Sequence, residues 1–178
     1  VSTASDTPFR WLTDDEQRAW RAYLAASARL GEHLDRVLTA EAGMPHAYYI
    51  ILAMLSETPS GGLRMTDLAD VLLISKSRLT HAVNKLEALG WVRRDADPSD
   101  RRGSVACLTE EGRRVLVATA PTHVTSVVDA VFDRLTPEQV EQFYEISSRI
   151  LEALAPGESP DSVLRPASPG DPTPATGA

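Results

Sequence analysis

Apolar residues return at three- and four-residue steps through Trp20, Tyr23, Leu24, Leu30, Leu34, Val37 and Leu38. That spacing places them on one face of a helix. Thr13 precedes the stripe, with Glu16 three residues on. In this pattern the hydroxyl and the carboxylate each satisfy a free amide of the first turn. A helix is therefore predicted from Thr13 to near Gly43. Pro45 opens a second helix through about Glu57, apolar on nearly all sides and so buried. Thr58-Pro-Ser-Gly-Gly62 reads as a turn and Leu63–Met65 as a short strand. A short helix follows from Thr66 to about Leu73, with Leu68, Ala69 and Leu72 turned inward. Ser75 caps another that runs to Leu89, where Gly90 stops it.

Residues 91–108 have the pattern of a hairpin: Trp91-Val-Arg-Arg94, a polar loop holding Asp97-Pro-Ser-Asp100, then Ser104 to Leu108. Thr109 starts a long helix bearing Leu116, Val124, Val127, Val128, Val131 and Phe132, which Pro121 is expected to kink or split. Thr136-Pro-Glu-Gln139 caps the last helix, whose stripe is Phe143, Ile146, Ile150 and Leu154. The fold class is mainly α: two short helices and a hairpin, flanked by long helices at both ends. Those flanking faces exceed what a small domain can cover, which points to a homodimer, with a closed monomeric bundle as the plain alternative.

Length and composition fit one soluble domain with a tail, at 178 residues, 43% hydrophobic and 24% charged. Residues 1–11 read as a loose lead-in. Pro156 to Ala178 hold six of the twelve prolines and little apolar content, so a disordered tail is expected. The apolar run Ala47–Leu55 is too short to span a bilayer, and the N-terminus has no signal-peptide pattern. A cytoplasmic location is the expectation. The lone Cys107 excludes an internal disulfide. It reads as a small buried hydrophobe rather than a redox switch. His33, His46, His81 and His123 lack metal-ligand spacing, so no metal and no cofactor is expected.

A net charge of −7 argues at first against nucleic acid, but the charge is unevenly spread. From Arg64 to Arg114 there are ten Lys/Arg against eight Asp/Glu, while the remainder has eight against seventeen. A partner feels the local field. On the helix after Ser75, Leu79, Val83, Leu86 and Leu89 share one face and would pack inward. Lys76, Ser77, Arg78, Thr80, His81, Asn84 and Lys85 take the other, a set of donors suited to phosphates and major-groove base edges. The plain alternative is a solvated helix face. Arg93, Arg94, Arg101 and Arg102 in the hairpin favour the first reading, because a narrow arm carrying Arg suits the minor groove.

Asp100-Arg-Arg102 followed by Leu108-Thr-Glu-Glu-Gly112 resembles the wing signature of the MarR (multiple antibiotic resistance regulator) family. Met65-Thr-Asp-Leu-Ala69, Ser77-Arg-Leu-Thr80, Leu86 to Val92 and the lead-in Leu12 to Leu24 resemble it too, so the likeness spans roughly residues 10–155. It implies a winged helix-turn-helix at about 45–108, a small β-hairpin wing, and dimerisation helices at about 13–42 and 109–155. It also implies that Arg102 enters the minor groove with Asp100 orienting it, and that Ser75, Ser77, Arg78 and His81 reach into the major groove. The implied function is that of a transcriptional regulator, a repressor, binding a pseudo-palindromic operator on double-stranded DNA as a homodimer. A small aromatic or phenolic effector is implied as well, for which Trp20, Tyr23, Tyr48 and Tyr49 are candidate pocket residues, with plain core as their other reading.

An enzyme would need a nucleophile–base pair, a metal set or a phosphate loop, and the sequence spells none of these. The rival that stays open is a winged-helix protein-interaction adaptor without sequence-specific DNA binding.

Overall fold

The computed structural model describes residues 9–58, 61–97 and 103–156. In chain order they form α1 (Asp14–Ala42), α2 (His46–Glu57), β1 (Gly62–Arg64), α3 (Met65–Val71), α4 (Lys76–Ala88), β2 (Val92–Ala96), β3 (Ser104–Leu108), α5 (Glu110–Ala130), a 3-10 turn (Phe132–Arg134) and α6 (Pro137–Leu154). Three expectations lie wholly or largely outside the described residues: the lead-in before Phe9, the wing residues Asp100, Arg101 and Arg102, and the tail from Gly157 on. Packing divides the chain after His33 into two compact units.

The first unit holds the start of α1. Thr13 N donates to Glu16 Oε2 at 2.8 Å and Glu16 N donates to Thr13 Oγ1 at 3.3 Å, the reciprocal cap that the sequence calls for. Arg10 forks onto the same carboxylate through both terminal nitrogens at 2.8 Å. Trp20, Tyr23 and Leu24 are exposed, with Trp20 and Tyr23 stacked at 5.8 Å.

In the second unit α2 is the centre of the core. Tyr49, Ile51, Leu52, Ala53, Met54 and Leu55 are buried on it, which requires neighbours on every side. Leu38 and Met44 meet it, with Leu68 and Ala69 of α3, Leu79, Val83 and Leu86 of α4, Val92 and Ala106 of the sheet, and Leu116 of α5. The sheet has three antiparallel strands in the order β1-β3-β2. The hairpin is thus joined by β1, with Leu63 and Arg94 paired on either side of the buried Ala106.

Two expectations, for Leu89 and Cys107, are corrected, and those for Pro121 and the α2 tyrosines are narrowed. Leu89 does not pack: it is the C-cap of α4, one residue past the helical stripe, and half of it is exposed. Pro121 does not split α5, which runs unbroken through it; the ring sits on an exposed position and costs the helix one amide donor. Cys107 is only half-buried. Strand alternation gives the core position to Ala106 and turns Cys107 to the opposite face, where Sγ donates to Asp95 at 3.4 Å. Partial burial and the Asp95 carboxylate push its thiol pKa up, against the pull of Arg93, so it is a poor thiolate. The tyrosine pair on α2 also separates, since Tyr49 is core while Tyr48 is half-buried at its edge.

α6 is capped as expected: Gln139 N donates to Thr136 Oγ1 at 3.3 Å and Thr136 N to Gln139 Oε1 at 2.9 Å. None of its residues is buried. Phe143, Tyr144, Ile146, Ile150 and Leu154 lie open, as do Val117, Val124 and Val128 of α5.

The start of α5 fits the sheet only because residue 112 has no side chain. A Cβ there would stand 2.0 Å from the Trp91 carbonyl oxygen and 2.9 Å from Leu108 Cδ1. Backbone and strand end cannot both retreat. Gly112→Ala should therefore destabilise folding by roughly 3 kcal/mol, the upper range for overpacking. Urea denaturation at fixed protein concentration measures it, and an unchanged midpoint would contradict the packing described.

Candidate nucleic-acid interface

The helix that presents the polar face begins and ends on built stops. Ser75 takes extended backbone angles and its Oγ accepts from Arg78 N at 3.3 Å. Ser77 Oγ lies 3.1 Å from Ser75 Oγ. At the far end, Gly90 N donates to the Glu87 carbonyl and Trp91 N to the Leu86 carbonyl, both at 2.9 Å, with Gly90 at φ +74°. This is a Schellman stop, which needs the left-handed conformation at its turning residue.

The turn before α4 uses the same bonds with a different residue. Leu73 N donates to the Asp70 carbonyl and Ile74 N to the Ala69 carbonyl, each at 3.1 Å. Here the left-handed residue is Leu73, at φ +52°, with 92% of it exposed. That conformation costs a β-carbon residue about 1 kcal/mol.

Between these stops Leu79, Val83 and Leu86 are buried at i, i+4 and i+7. Lys76, Ser77, Arg78, Thr80, His81, Asn84 and Lys85 are all exposed, so the structure brings the expected donors together on one open surface. Among the described residues no ion pair engages Lys76, Arg78 or Lys85.

Arg94 does not belong to that open set and is held by contacts within the protein. Being opposite Ala106 in the register, it points to the core-side face of the sheet, toward α4. Its Nε is 3.1 Å from Glu87 Oε2, and Nη2 donates to the Thr80 carbonyl at 3.4 Å and to Asn84 Oδ1. Arg93 and Asp95 pair at 2.8 Å on the other face, and Arg64 pairs with the buried Asp97 at 2.8 Å. The Arg94 network was not legible in the sequence, because residues 80, 84, 87 and 94 meet only through the turn at Gly90. Asp100, Arg101 and Arg102 lie outside the described residues.

The aromatic candidates fall into different settings. Trp20 and Tyr23 form an exposed stack in the first unit. Tyr49 is buried in the second, its ring stacked on His123 at 4.3 Å, and His46 stacks on His123 at 5.4 Å. His46 Nε2 and His123 Nδ1 are buried without a hydrogen-bond partner. Burial, then the neighbouring His46, holds the His123 pKa down at about 4. Burial lowers His46 as well, against the pull of Asp35, whose carboxylate accepts from the His46 backbone N–H at 3.0 Å.

Comparison with known proteins gives a consistent set of likenesses. The MarR family profile matches residues 42–103. The solved structure of Sco3205, a MarR family transcriptional regulator from Streptomyces coelicolor in complex with DNA, is 53% identical. The match covers 85% of this chain and 96% of that one, with a TM-score of 0.77. AbsC, a MarR family transcriptional regulator from the same organism, is 40% identical over 82% of this chain and 98% of that one, with a TM-score of 0.75. The HTH-type transcriptional regulator MhqR of Bacillus subtilis is 27% identical over 130 residues, 73% of this chain and 84% of that protein.

Two measurements follow from this geometry. Leu73→Gly should raise stability by up to about 1 kcal/mol, since it relieves the left-handed strain and gives up little packing. A lower melting temperature would show that Leu73 packs more than its exposure indicates. The histidine pair predicts a pH effect. Above about 6.5 His123 is neutral folded and unfolded; below it the unfolded chain takes up a proton that the folded chain refuses until about 4. Stability should fall as pH drops through that window, and fall less in His123→Phe. Equal acid sensitivity in the two proteins would contradict it.

Proposed function

This chain belongs to the MarR family of transcriptional regulators, and from that premise we propose that it binds double-stranded DNA as a homodimer and represses the genes it controls. The observation that carries this reading is α4, whose apolar face is wholly engaged in the core while seven polar and basic side chains stand open together. Such a helix has the dimensions and the donors to enter a major groove. Its capped N-terminus, with Ser75, Lys76 and Arg78, favours phosphate. The sequence signature adds Asp100 and Arg102 as the wing's groove contact, with Arg101 beside them.

The homodimer is supported by α6 and by α1. An 18-residue amphipathic helix with no buried residue is unusual in a finished monomer, and Trp20, Tyr23 and Leu24 form another open apolar stripe. Two copies would present two recognition helices to half-sites about one helical turn apart. Relief of repression by a small aromatic or phenolic compound completes the reading. Its support is the family resemblance, together with Tyr48 half-buried at the edge of α2.

Footprinting and titration on the DNA upstream of the chain's own coding region test the proposal. A dimer should protect two half-sites, and affinity should fall by orders of magnitude between about 50 and 200 mM salt as counterions are released. Arg78→Ala and Arg102→Ala should each weaken binding by about 1–3 kcal/mol and leave the melting temperature nearly unchanged. Salt-insensitive binding, or full affinity in both variants, would move the protein-adaptor reading ahead.

A further inference from the structure

We propose that Arg94 locks the amide of Asn84 as a hydrogen-bond donor toward DNA, so that α4 rejects cytosine at the base this residue meets. The inference rests on the reading of α4 as the helix that faces DNA and assigns one of its positions a specificity.

A guanidinium carries five N–H donors and no acceptor. Whatever lies against it must offer oxygen. Arg94 Nη2 donates to Asn84 Oδ1, so the amide oxygen is turned to the wing and the amide nitrogen is turned away from it. In an unrestrained asparagine the two ends exchange by rotation about the last side-chain torsion, and the residue accepts or donates as its partner requires. Here rotation would set an NH2 group against a cation.

The guanidinium is itself held from two further sides. Glu87 Oε2 lies 3.1 Å from Nε as an ion pair without hydrogen-bond alignment, with the two side chains 26% and 34% exposed, and the Thr80 carbonyl accepts at 3.4 Å. Thr80, Asn84 and Glu87 follow one another at i, i+4 and i+7, so the clamp runs along one edge of α4. The Coulomb attraction of a charged pair in this partly buried setting is stronger than in water, because the effective dielectric is lower. The β-strand register fixes where Arg94 starts, since it sits opposite the fully buried Ala106.

Base edges in the major groove then separate cleanly. Guanine, thymine and adenine each offer an acceptor, in O6 and N7, O4, or N7, whereas cytosine offers only its N4 amino donors. A fixed donor can meet the first three. Against cytosine it sets donor on donor, and both groups lose water without a partner.

Binding-site selection from a random DNA library, with the full chain, tests this. Asn84→Ala identifies the position, as the one where its selected bases differ from those of the wild type. At that position the wild type should disfavour cytosine by at least about fivefold, the low end of the cost of one mismatched base. Arg94→Met frees the amide to turn, and cytosine should recover toward parity there and nowhere else. Glu87→Gln, which keeps side-chain size but loosens the hold on Arg94, should give an intermediate recovery and covers the case in which Arg94→Met does not fold. Cytosine exclusion unchanged in both variants would overturn the proposal. So would an Asn84→Ala that weakens all sequences alike, as loss of a phosphate contact would. A wild type that enriches no sequence at all would overturn the DNA reading beneath it.

Discussion

The junction around Thr109 is where the parts of the second unit are tied. Its hydroxyl lies 2.7 Å from the Gly90 carbonyl and 3.0 Å from the Trp91 carbonyl, and it accepts from Gly112 N at 3.0 Å. The Thr109 amide donates to the same Trp91 carbonyl at 3.1 Å, and the Leu108 amide to the Gly61 carbonyl at 2.8 Å. One residue thereby closes the end of α4, the start of β2, the end of β3 and the first turn of α5. Each of those ends leaves backbone groups that need partners, and a single threonine supplies several of them. The absence of a side chain at Gly112 lets the backbones close to that distance.

This arrangement constrains how the recognition surface can behave. The Schellman stop at Gly90 and the cap at Ser75 fix both ends of α4, and Leu79, Val83 and Leu86 fix its rotation. The open side chains are thus offered from a fixed frame, as the proposed discrimination between base edges requires. The wing is joined to the same frame at two places, through the sheet pairing around Ala106 and through the Arg94 clamp on Glu87.

The chain is acidic overall, yet the surface assigned to DNA is not. Lys76, Arg78 and Lys85 stand open, while Arg93, Arg94 and Arg64 are each neutralised by a carboxylate close at hand. Sign and position of charge therefore separate the cations into those paired on the sheet and those left open on α4. The apolar residues divide similarly. α2 spends its side chains on the core, while α6 spends none and keeps Phe143, Ile146 and Ile150 for a partner surface of the kind proposed.

Much of this was written locally. Capping boxes at Thr13 and Thr136, the serine cap at Ser75 and the glycine stop at Gly90 depend on residues three to five apart, and sequence spacing captures them. Periodicity likewise gave the buried and open faces of α4, because rotation per residue is fixed once the helix is set. It erred at Leu89, one step beyond the last helical turn; the reading of Cys107 as buried rested on residue type, and Ala106 takes the core position of β3 instead. The pairing of β1 with β3, the stacking of His123 on Tyr49 and the turn of Arg94 onto Asn84 and Glu87 join residues far apart in the chain. No local pattern encodes them. They exist because the packed core brings those backbones to hydrogen-bonding distance, and only the tertiary structure could decide which arginines are paired and which stand open on the surface.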